Sequence, residues 1–522
     1  EPVTNEQLIR LIRTFMSHAK SNSLSREDLE RRLKGSLLEG TRSEMFLRLY
    51  WPIFEAWEER LLAGGYIDFD DMLIQAADHL ENRDVDLGYS LVLADEFQDA
   101  SNARIRILKG LVATPGRHLL TVGDDWQSIN RFAGSDISAM LDFETVFGTA
   151  VELQLTRTFR CPPDIVEFSS SFVQKNPGQI AKHVTTSTPE PEPSSVRLVI
   201  ADINEEAVEE ELAEIVKRAS KEPDTKKPTV LALGRYGFDQ DLIPRSAIPE
   251  GLDFSFKTIH RSKGLEADYV IILNLSARGW SFPASVIDDP MLGLAMTKPD
   301  EFLFAEERRL FYVALTRARR QVILLVPERS PSEFIIEAYK DGILRADFPL
   351  TLCNVCTTGL MVRRDGPHGD FFGCSNYPSC NATAQVCEHC DQGCLVRNGD
   401  FFDCNQPLCD RESFPTCPAC GEGMLAKRQG PRSTFFGCTQ YPTCDNTTAI
   451  CPACGTGALI RDFNLVRCHK HESCGWHGRP CPNCSDGILI TREGAYGPFT
   501  SCSNFTSTCD DPKAIKWRRS RN

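Results

Sequence analysis

Twenty-one cysteines crowd between Cys353 and Cys509 of this 522-residue chain, whereas everything before them holds only Cys161. Twenty of the twenty-one sort into five quartets. The first two are Cys353-x2-Cys356-x17-Cys374-x5-Cys380 and Cys387-x2-Cys390-x13-Cys404-x4-Cys409. The third and fourth are Cys417-x2-Cys420-x17-Cys438-x5-Cys444 and Cys451-x2-Cys454-x13-Cys468-x5-Cys474, and the fifth is Cys481-x2-Cys484-x17-Cys502-x6-Cys509. Only Cys394 is left over. A Cys-x2-Cys turn aims two thiolates at one ion, and a second pair one hairpin later completes the tetrahedral sulfur shell that structural zinc takes. A disulfide framework is the competing use, but it belongs to an oxidising compartment. The opening EPVTNEQLIRLIR has neither the basic start nor the apolar middle of a secretory signal. Modules of about 30 residues bury too little apolar surface to fold alone, so the metal is expected to supply much of the folding free energy. His469, His471 and His477 are alternative ligands in the fourth module, whose quartet is complete without them.

Charge has to be read in two parts. The whole chain carries 58 Lys+Arg against 72 Asp+Glu, a formal −14, which would argue against a polyanionic partner if it were evenly spread. Residues 351–522 hold 17 basic and 16 acidic side chains, and the remainder holds 41 and 56, so the acidity belongs to the body. Twenty thiolates around five Zn²⁺ add about −10 to the tail. Any grip on a polyanion must therefore be local. With 41% hydrophobic and 25% charged residues the composition is that of a globular protein. No apolar run approaches the roughly 18–20 residues that span a bilayer, so no membrane partner is expected.

Before the cysteines the periodicity changes twice. From Asn5 to Ala63 apolar residues recur at helical spacing (Leu8, Leu11, Ile12, Phe15; then Phe46, Leu49, Tyr50, Ile53, Phe54, Trp57), with a polar break at Ser21–Ser25. Thereafter β-branched runs alternate with helical stretches. The predicted strands are Ser90–Ala94, Leu119–Val122, Val196–Ala201, Thr229–Leu233, Tyr269–Leu273 and Val322–Val326; the predicted helices include Glu205–Arg218 and Glu306–Arg319. Such alternation predicts parallel sheets covered on both faces, in two α/β units divided near Ala150. Thr185–Ser195 is a polar, Pro-rich connection, and the helical pattern stops at about Ala346–Thr351. The expected domains are a helical 1–63, an α/β 64–150, an α/β 151–345, and a 346–522 array of small β ribbons at 353–380, 387–409, 417–444, 451–474 and 481–509.

Four blocks punctuate the body. Leu91-Val92-Leu93-Ala94 runs into Asp95-Glu96-Phe97-Gln98-Asp99. Two acids at the end of a buried strand can divide labour, one holding Mg²⁺ on nucleotide phosphates and the next orienting the attacking water. Then come Gly123-Asp124-Asp125-Trp126-Gln127-Ser128, Thr258-Ile259-His260-Arg261-Ser262-Lys263-Gly264-Leu265-Glu266 and Ala305-Glu306-Glu307-Arg308-Arg309-Leu310-Phe311-Tyr312-Val313-Ala314-Leu315-Thr316-Arg317. In this order the blocks resemble the motifs of superfamily 1A DNA helicases of the Rep/UvrD-like group, over about residues 45–340. The Trp126 variant, Arg131-Phe132-Ala133-Gly134 and Phe172-Val173-Gln174-Lys175-Asn176-Pro177 are most similar to the bacterial DNA helicase IV branch. The resemblance implies two RecA-like parallel-sheet domains and an ATP-dependent motor, cytoplasmic and nucleoid-associated, moving 3′ to 5′ on single-stranded or partly duplex DNA. It implies Asp95 as Mg²⁺ ligand, Glu96 as general base, Gln127 as γ-phosphate sensor and Arg317 as arginine finger. Gly264 and Glu266 would lie against the nucleotide, Glu266 at the ribose, with Thr258 and His260 on the DNA side.

The chain also departs from that pattern. Relatives outside the helicase IV branch carry an Arg where this chain has Ala133, so Arg131 or Arg160 is expected to supply the cation. The short span from Phe172 to the His260 block leaves no room for a large 2B insertion. Nowhere is there a G-x-x-x-x-G-K-[ST] phosphate loop. The expectation is an N-terminally truncated helicase whose first sheet is incomplete and has an exposed apolar edge, with the loop supplied by a preceding segment or a partner chain. The alternative is a nucleotide-incompetent adaptor that binds DNA through its tail.

In the tail, Phe371-Phe372-Gly373-Cys374-Ser375-Asn376-Tyr377-Pro378-Ser379-Cys380 and its counterpart Phe435–Cys444 resemble the four-cysteine ribbons of type IA topoisomerases. That resemblance implies single-strand DNA binding, with aromatic rings as stacking platforms beside cations. The candidate rings are Phe372, Tyr377, Phe436, Tyr441, Phe402, Trp476 and Phe499; the candidate cations are Arg363, Arg364, Lys427, Arg428, Arg432 and the Lys513–Arg521 cluster. The competing role for each ring is packing inside its own ribbon. Protein–protein contact by the array is the alternative to DNA binding, and the helicase blocks in the body argue against a topoisomerase.

Overall fold

The computed structural model describes residues 4–34, 40–189, 194–201, 205–220, 227–244, 248–277, 280, 282–284, 289–296, 302–327, 330–344, 350–357, 359–367, 369–406, 409, 411–430, 434–462, 465–482, 484, 487–494, 497–502 and 509. They form two compact units, 1–347 and 348–522. None of the described helices is long and apolar enough to cross a membrane.

The first unit opens with four helices, α1 (Asn5–Ser21), α2 (Arg26–Leu33), α3 (Thr41–Gly64) and α4 (Phe69–Glu81). Three begin at a capping box: Thr4 with Gln7, Ser25 with Asp28, and Asp68 with Asp71 each exchange side-chain and backbone bonds. The apolar stripe read from the sequence is the one that packs. Ile12, Phe15, Ala19, Leu29, Phe46, Leu47 and Tyr50 form one core, and Phe15 meets Phe46 and Tyr50 edge-on. That core is completed from far along the chain by Met291, Leu292, Leu294, Ala295 and Met296, held by Asn22 donating to the Ala295 carbonyl at 2.9 Å. The helical group is thus not closed within residues 1–63. Lys20, buried, reaches Glu58, Asp68 and Asp71 at 2.6–2.7 Å and ties α1 to α3 and α4.

Strands β1 (Leu91–Ala94) and β2 (His118–Thr121) pair in parallel around α5 (Asn102–Val112). Leu91, Leu93, Leu120 and Val122 are exposed, as are Val151, Leu153 and Leu155 further on. An apolar edge is expected of an incomplete first sheet; what the described residues leave bare is an apolar face, on which Leu93 and its ladder partner Leu120 lie side by side.

After α6 (Pro163–Val173) comes a five-stranded sheet of β3 (Val196–Ala201), β4 (Thr229–Gly234), β5 (Asp253–Thr258), β6 (Ala267–Ile272) and β7 (Ala318–Pro327). Its order is β3-β7-β6-β4-β5, all parallel. The longer helices around it are α7 (Glu205–Ala219), α8 (Ala305–Leu315) and α9 (Glu333–Lys340). One predicted element is corrected: the helix expected over Glu306–Arg319 stops at Leu315, and β7 begins at Ala318. The Thr316 N–H closes the last turn on the Tyr312 carbonyl, and the β-branched run that follows extends into the sheet.

The second unit is a row of antiparallel ribbons. Its first four sheets are three-stranded, with strands at Met361–Arg364, Phe371–Cys374 and Thr383–Gln385, then at the equivalent positions of each module. In these modules the third strand lies beyond the fourth cysteine. The fifth pairs Leu489–Gly494 with Gly497–Cys502.

Candidate functional site

Two sheets aim their chain reversals at one another in the first unit. At the end of β1, Glu96 adopts φ +50°, a left-handed conformation rare for a side chain of this size. There its N–H donates to Asp95 Oδ1 at 2.8 Å and its carboxylate accepts from Gln98 Nε2 at 2.6 Å. Gln98 accepts in turn from the Asp124 N–H at 3.0 Å, joining the β1 and β2 ends. A Cβ at Gly123 would stand 2.7 Å from Gln98 Oε1, so a side chain there would push the Gln98 amide out of this bond. Asp124 accepts from the Trp126 N–H and from Gln127 Nε2 at 3.2 and 2.7 Å, fixing the Gln127 side chain. Lys182 pairs with both Asp124 and Asp125, its Nζ 4.9 Å from the centre of the buried Trp126 ring. Burial works against charge on Lys182, but the two carboxylates outweigh it and hold its pKa above the usual lysine value.

From the second sheet come Lys263 and Arg317. Lys263 Nζ lies 2.6 Å from Asp99 Oδ2, 3.0 Å from the Gln127 carbonyl and 3.5 Å from Glu96 Oε2. Arg317 occupies the two-residue turn between α8 and β7, almost wholly buried. It donates to the Val313 and Leu265 carbonyls at 2.9 and 3.2 Å and approaches Gln127 Oε1 at 3.5 Å. Burial, then the neighbouring Arg160, lowers its pKa. Arg160 pairs with Glu266 at 2.8 Å, and Arg319 reaches the same carboxylate at 3.4 Å. Arg309 crosses back to the Ser128 carbonyl at 2.7 Å.

Glu96, Gln127 and Arg317 are therefore brought together, with exposed Asp95 next to Glu96, Arg160 and Glu266 beside Arg317, and Gly264 at φ +79° in the reversal between Lys263 and Glu266. Arg131 stands apart, paired with Glu306 at 3.2 Å. Thr258 and His260 leave β5 away from this cluster. The His260 ring meets Phe132 edge-on at 5.1 Å, and burial followed by the charge of Arg235 pushes its pKa down to about 4. Sequence reasoning passed over Lys263, Lys182, Asp99 and Arg309. Lys263, Asp99 and Arg309 sit inside three of the four motif blocks, which is the signal that could have found them; Lys182 lies outside every block, and its partners Asp124 and Asp125 are spatial.

In the second unit each quartet converges, its four sulfur atoms lying within 4.8 Å of one another. The closest S···S approaches are 3.5–3.8 Å in all five. Tetrahedral zinc with Zn–S of about 2.3 Å requires about 3.8 Å between sulfurs, whereas a disulfide requires about 2.05 Å. The five four-cysteine groups thus have zinc-site geometry. A glycine three residues after the second cysteine recurs in every module; a Cβ at Gly359, Gly393, Gly423, Gly457 or Gly487 would meet the third cysteine's sulfur at 2.3–2.6 Å. In the first four modules the next residue's N–H donates to the side chain that follows the third cysteine: Leu360 to Ser375, Cys394 to Asn405, Met424 to Thr439, Ala458 to His469 Nδ1. His469 is thereby a hydrogen-bond acceptor in the scaffold.

This register also accounts for Cys394. It holds the position of Leu360, Met424, Ala458 and Ile488, and from there each module sends an apolar side chain into the core of the one before: Cys394 packs with the first ribbon, Met424 with the second, Ala458 with the third, Ile488 with the fourth. Phe372 and Phe436, 8% and 2% exposed, are core residues of their own ribbons, so their faces are closed to a base and the packing role holds for both. Tyr377 and Tyr441, 63% and 66% exposed, present their rings outward, and the Arg364 guanidinium lies 5.6 Å from the Tyr377 ring centre. Phe499 is exposed as well, whereas Phe402 and Trp476 pack against ribbon cores. Arg432 and Lys513–Arg521 lie outside the described residues.

Comparison with known proteins gives the same division. Residues 2–148 match the UvrD/REP helicase N-terminal domain and residues 251–328 the UvrD-like helicase C-terminal domain. Residues 351–389, 415–450 and 478–513, covering the first, third and fifth ribbons, match the topoisomerase DNA-binding C4 zinc finger. DNA helicase IV of Escherichia coli K12 is 34% identical over 292 residues, 55% of this chain and 41% of the relative. The putative ATP-dependent DNA helicase YjcD of Bacillus subtilis is 31% identical over 172 residues, 30% of this chain and 22% of its own. A probable DNA helicase of Mycoplasma pneumoniae is 24% identical over 292 residues, 52% and 50% of the two chains. The chain thus spans half or less of each of these relatives.

Proposed function

From a chain built of UvrD/REP-type helicase N- and C-terminal domains followed by topoisomerase-type C4 zinc ribbons, we propose the working part of an ATP-dependent DNA helicase or translocase, running 3′ to 5′ on single-stranded DNA that the ribbons help to hold. The observation that carries this reading is the meeting of Glu96 and Gln127 from one sheet with Lys263 and Arg317 from the other. A nucleotide seated between the sheets would contribute the phosphoryl group and Mg²⁺. Asp95, exposed beside Glu96, is the carboxylate for the metal, and Glu96, pinned by Gln98, orients and deprotonates the attacking water. Gln127, held by Asp124 and facing Arg317, reports the terminal phosphate across the gap. Arg317 neutralises charge developing there, so closure of the two sheets is favoured only when a nucleotide fills the space. Arg160, next to Arg317, is better placed than Arg131 to replace the cation missing at Ala133. Glu266 and Gly264 border the same space, and Thr258 and neutral His260 face the DNA. Among the ribbon aromatics, Tyr377 and Tyr441 take the bases.

The phosphate loop is absent from these 522 residues, and the bare face of β1 and β2 supports its arrival on a strand that completes the first sheet. That strand comes from further polypeptide or a partner chain. The same bare face gives the second reading, an adaptor without hydrolysis, its observational basis. One experiment separates the two: DNA-stimulated ATP hydrolysis by the chain supplied with a phosphate-loop segment, against its Glu96→Gln variant. A motor loses at least about 100-fold on substitution; no activity, or no loss, leaves the adaptor. Family-like hydrolysis by these 522 residues alone would overturn the missing-loop argument.

A further inference from the structure

Where α1 ends, Ser21, Asn22 and Ser23 are gripped by two parts of the chain at once. Ser21 and Asn22 are buried. Ser21 packs against Gly134, in the turn that follows the Gln127 block, so closely that a Cβ at Gly134 would stand 2.3 Å from Ser21 Oγ. Ser23 accepts from Arg106 on α5 at 3.3 Å, and the same guanidinium pairs with Asp78 and Glu81 on α4 at 2.6 and 2.5 Å. Gly134 and Arg106 both belong with the first sheet. Asn22, between the two serines, bonds elsewhere: its Nδ2 donates to the His18 carbonyl at 3.0 Å and to the Ala295 carbonyl at 2.9 Å.

Ala295 lies on a strap sent out by the second sheet. After β6 the chain is braced at Glu307 of α8, which accepts from the Ala284 N–H at 2.9 Å and from Arg235 at 2.8–3.1 Å. It then lays Asp289–Met296 on the helical group before α8 begins at Ala305. Met291, Leu292, Leu294, Ala295 and Met296 are each 9% exposed or less, inside the core that α1, α2 and α3 share. The polar contacts follow the same plan. A helix as short as Leu292–Ala295 leaves its carbonyls open, and the helical group supplies the donors. Arg32 of α2 donates to the Leu294 and Met296 carbonyls at 3.1 and 2.9 Å, and Arg42 of α3 pairs with Asp289 at 2.8 Å. A segment serving only to link β6 to α8 would bury none of these side chains.

We propose that Ser21–Ser23 and the strap Asp289–Met296 form a standing joint between the two sheets, the fulcrum on which the cleft opens and closes. Packed cores shift between discrete arrangements and do not stretch, so bodies joined through one move by hinging about it. Burial of five apolar side chains keeps this joint engaged while the cross-cleft contacts of Lys263 and Arg309 come and go. The strap precedes α8 and Arg317 follows it, so the fulcrum and the arginine at the cleft are fixed to one helix. The joint needs the two-sheet geometry alone; neither ATP nor DNA enters it.

Zero-length carbodiimide coupling tests it on the full chain, because it joins a lysine to a carboxylate only where the two touch. Three pairs, each 2.6 Å apart, serve as reporters after peptide mapping: Lys263–Asp99 for the cleft, Lys20–Asp71 for the helical group and Lys175–Glu337 for the flank of the second sheet. One variant, Asn22→Ala/Arg32→Ala, removes donors to the strap and keeps its apolar side chains. The other replaces residues 289–296 by a Gly/Ser stretch of equal length. The Lys263–Asp99 product should fall at least about 5-fold in the replacement variant as the open population rises, and fall less in the double variant. Lys175–Glu337 should form as in the wild type in both, and Lys20–Asp71 should persist in the double variant. An undiminished Lys263–Asp99 product in both variants would overturn the joint. Parallel loss of all three products would overturn it too, by showing the strap to be ordinary core. A failed motor reading would leave these outcomes unchanged, since the readout contains no nucleotide and no DNA.

Discussion

A methyl group on Gly423 would sit 2.6 Å from the sulfur of Cys438, closer than any unstrained contact allows. Gly423→Ala should therefore displace one ligand of the third site. The expected result is four zinc ions per chain by metal analysis where the wild type gives five, with the third ribbon unfolded. Cys394 predicts the opposite outcome. Its thiol is buried and used as a small apolar group, so Cys394→Ala should keep all five ions and cost about 1 kcal/mol of stability, the cavity left by a group of that size. Loss of zinc on that substitution would show that Cys394 is a ligand after all.

Helix α8 illustrates how much the chain discloses before it is folded. Its apolar and charged pattern identified it, the resemblance pointed to Arg317, and five of the six predicted strands of the body came within two residues of the observed bounds. The missed feature was its end. Helix propensity alone carries Glu306–Arg319 onward, but β7 recruits Ala318 into a ladder with β6, opposite Ala267, a non-local pairing that local spacing does not encode. That early stop matters chemically, because it leaves Arg317 in a turn with its guanidinium locked by the Val313 and Leu265 carbonyls. Arg317→Ala in a loop-complemented protein should reduce DNA-stimulated hydrolysis by about 10³-fold or more, measured as phosphate release. Retention of activity would move the arginine-finger role to Arg160. The quartets, the acid pair and the Gln127 block were all legible because each is contiguous or regularly spaced. Lys182, the Glu307 brace and the help given by Met291–Met296 to the helical core were not, because their partners are separated by tens to hundreds of residues.

The two units hold themselves together by different means, so they should fail separately. In the first, sheets and helices bury apolar side chains around several clusters; in the second, each ribbon core consists largely of its own metal-binding sulfurs with a few apolar residues. A strong chelator should collapse residues 348–522 and weaken single-strand binding while leaving the first unit folded, as limited proteolysis followed by mass analysis would reveal. Simultaneous loss of both units would contradict this. Within the tail the collapse should spread from ribbon to ribbon, since Met424, Ala458 and Ile488 each belong to one module by sequence and to the previous one by packing. Repeat and folding unit are therefore out of phase. A duplication or deletion cut cleanly at the cysteine quartets would separate each plug from the core it fills. Module exchange that keeps the protein intact must instead carry each whole quartet together with its successor's Cys-x2-Cys-x2-Gly and the residue after it, so that every transplanted ribbon arrives with the plug that fills its core.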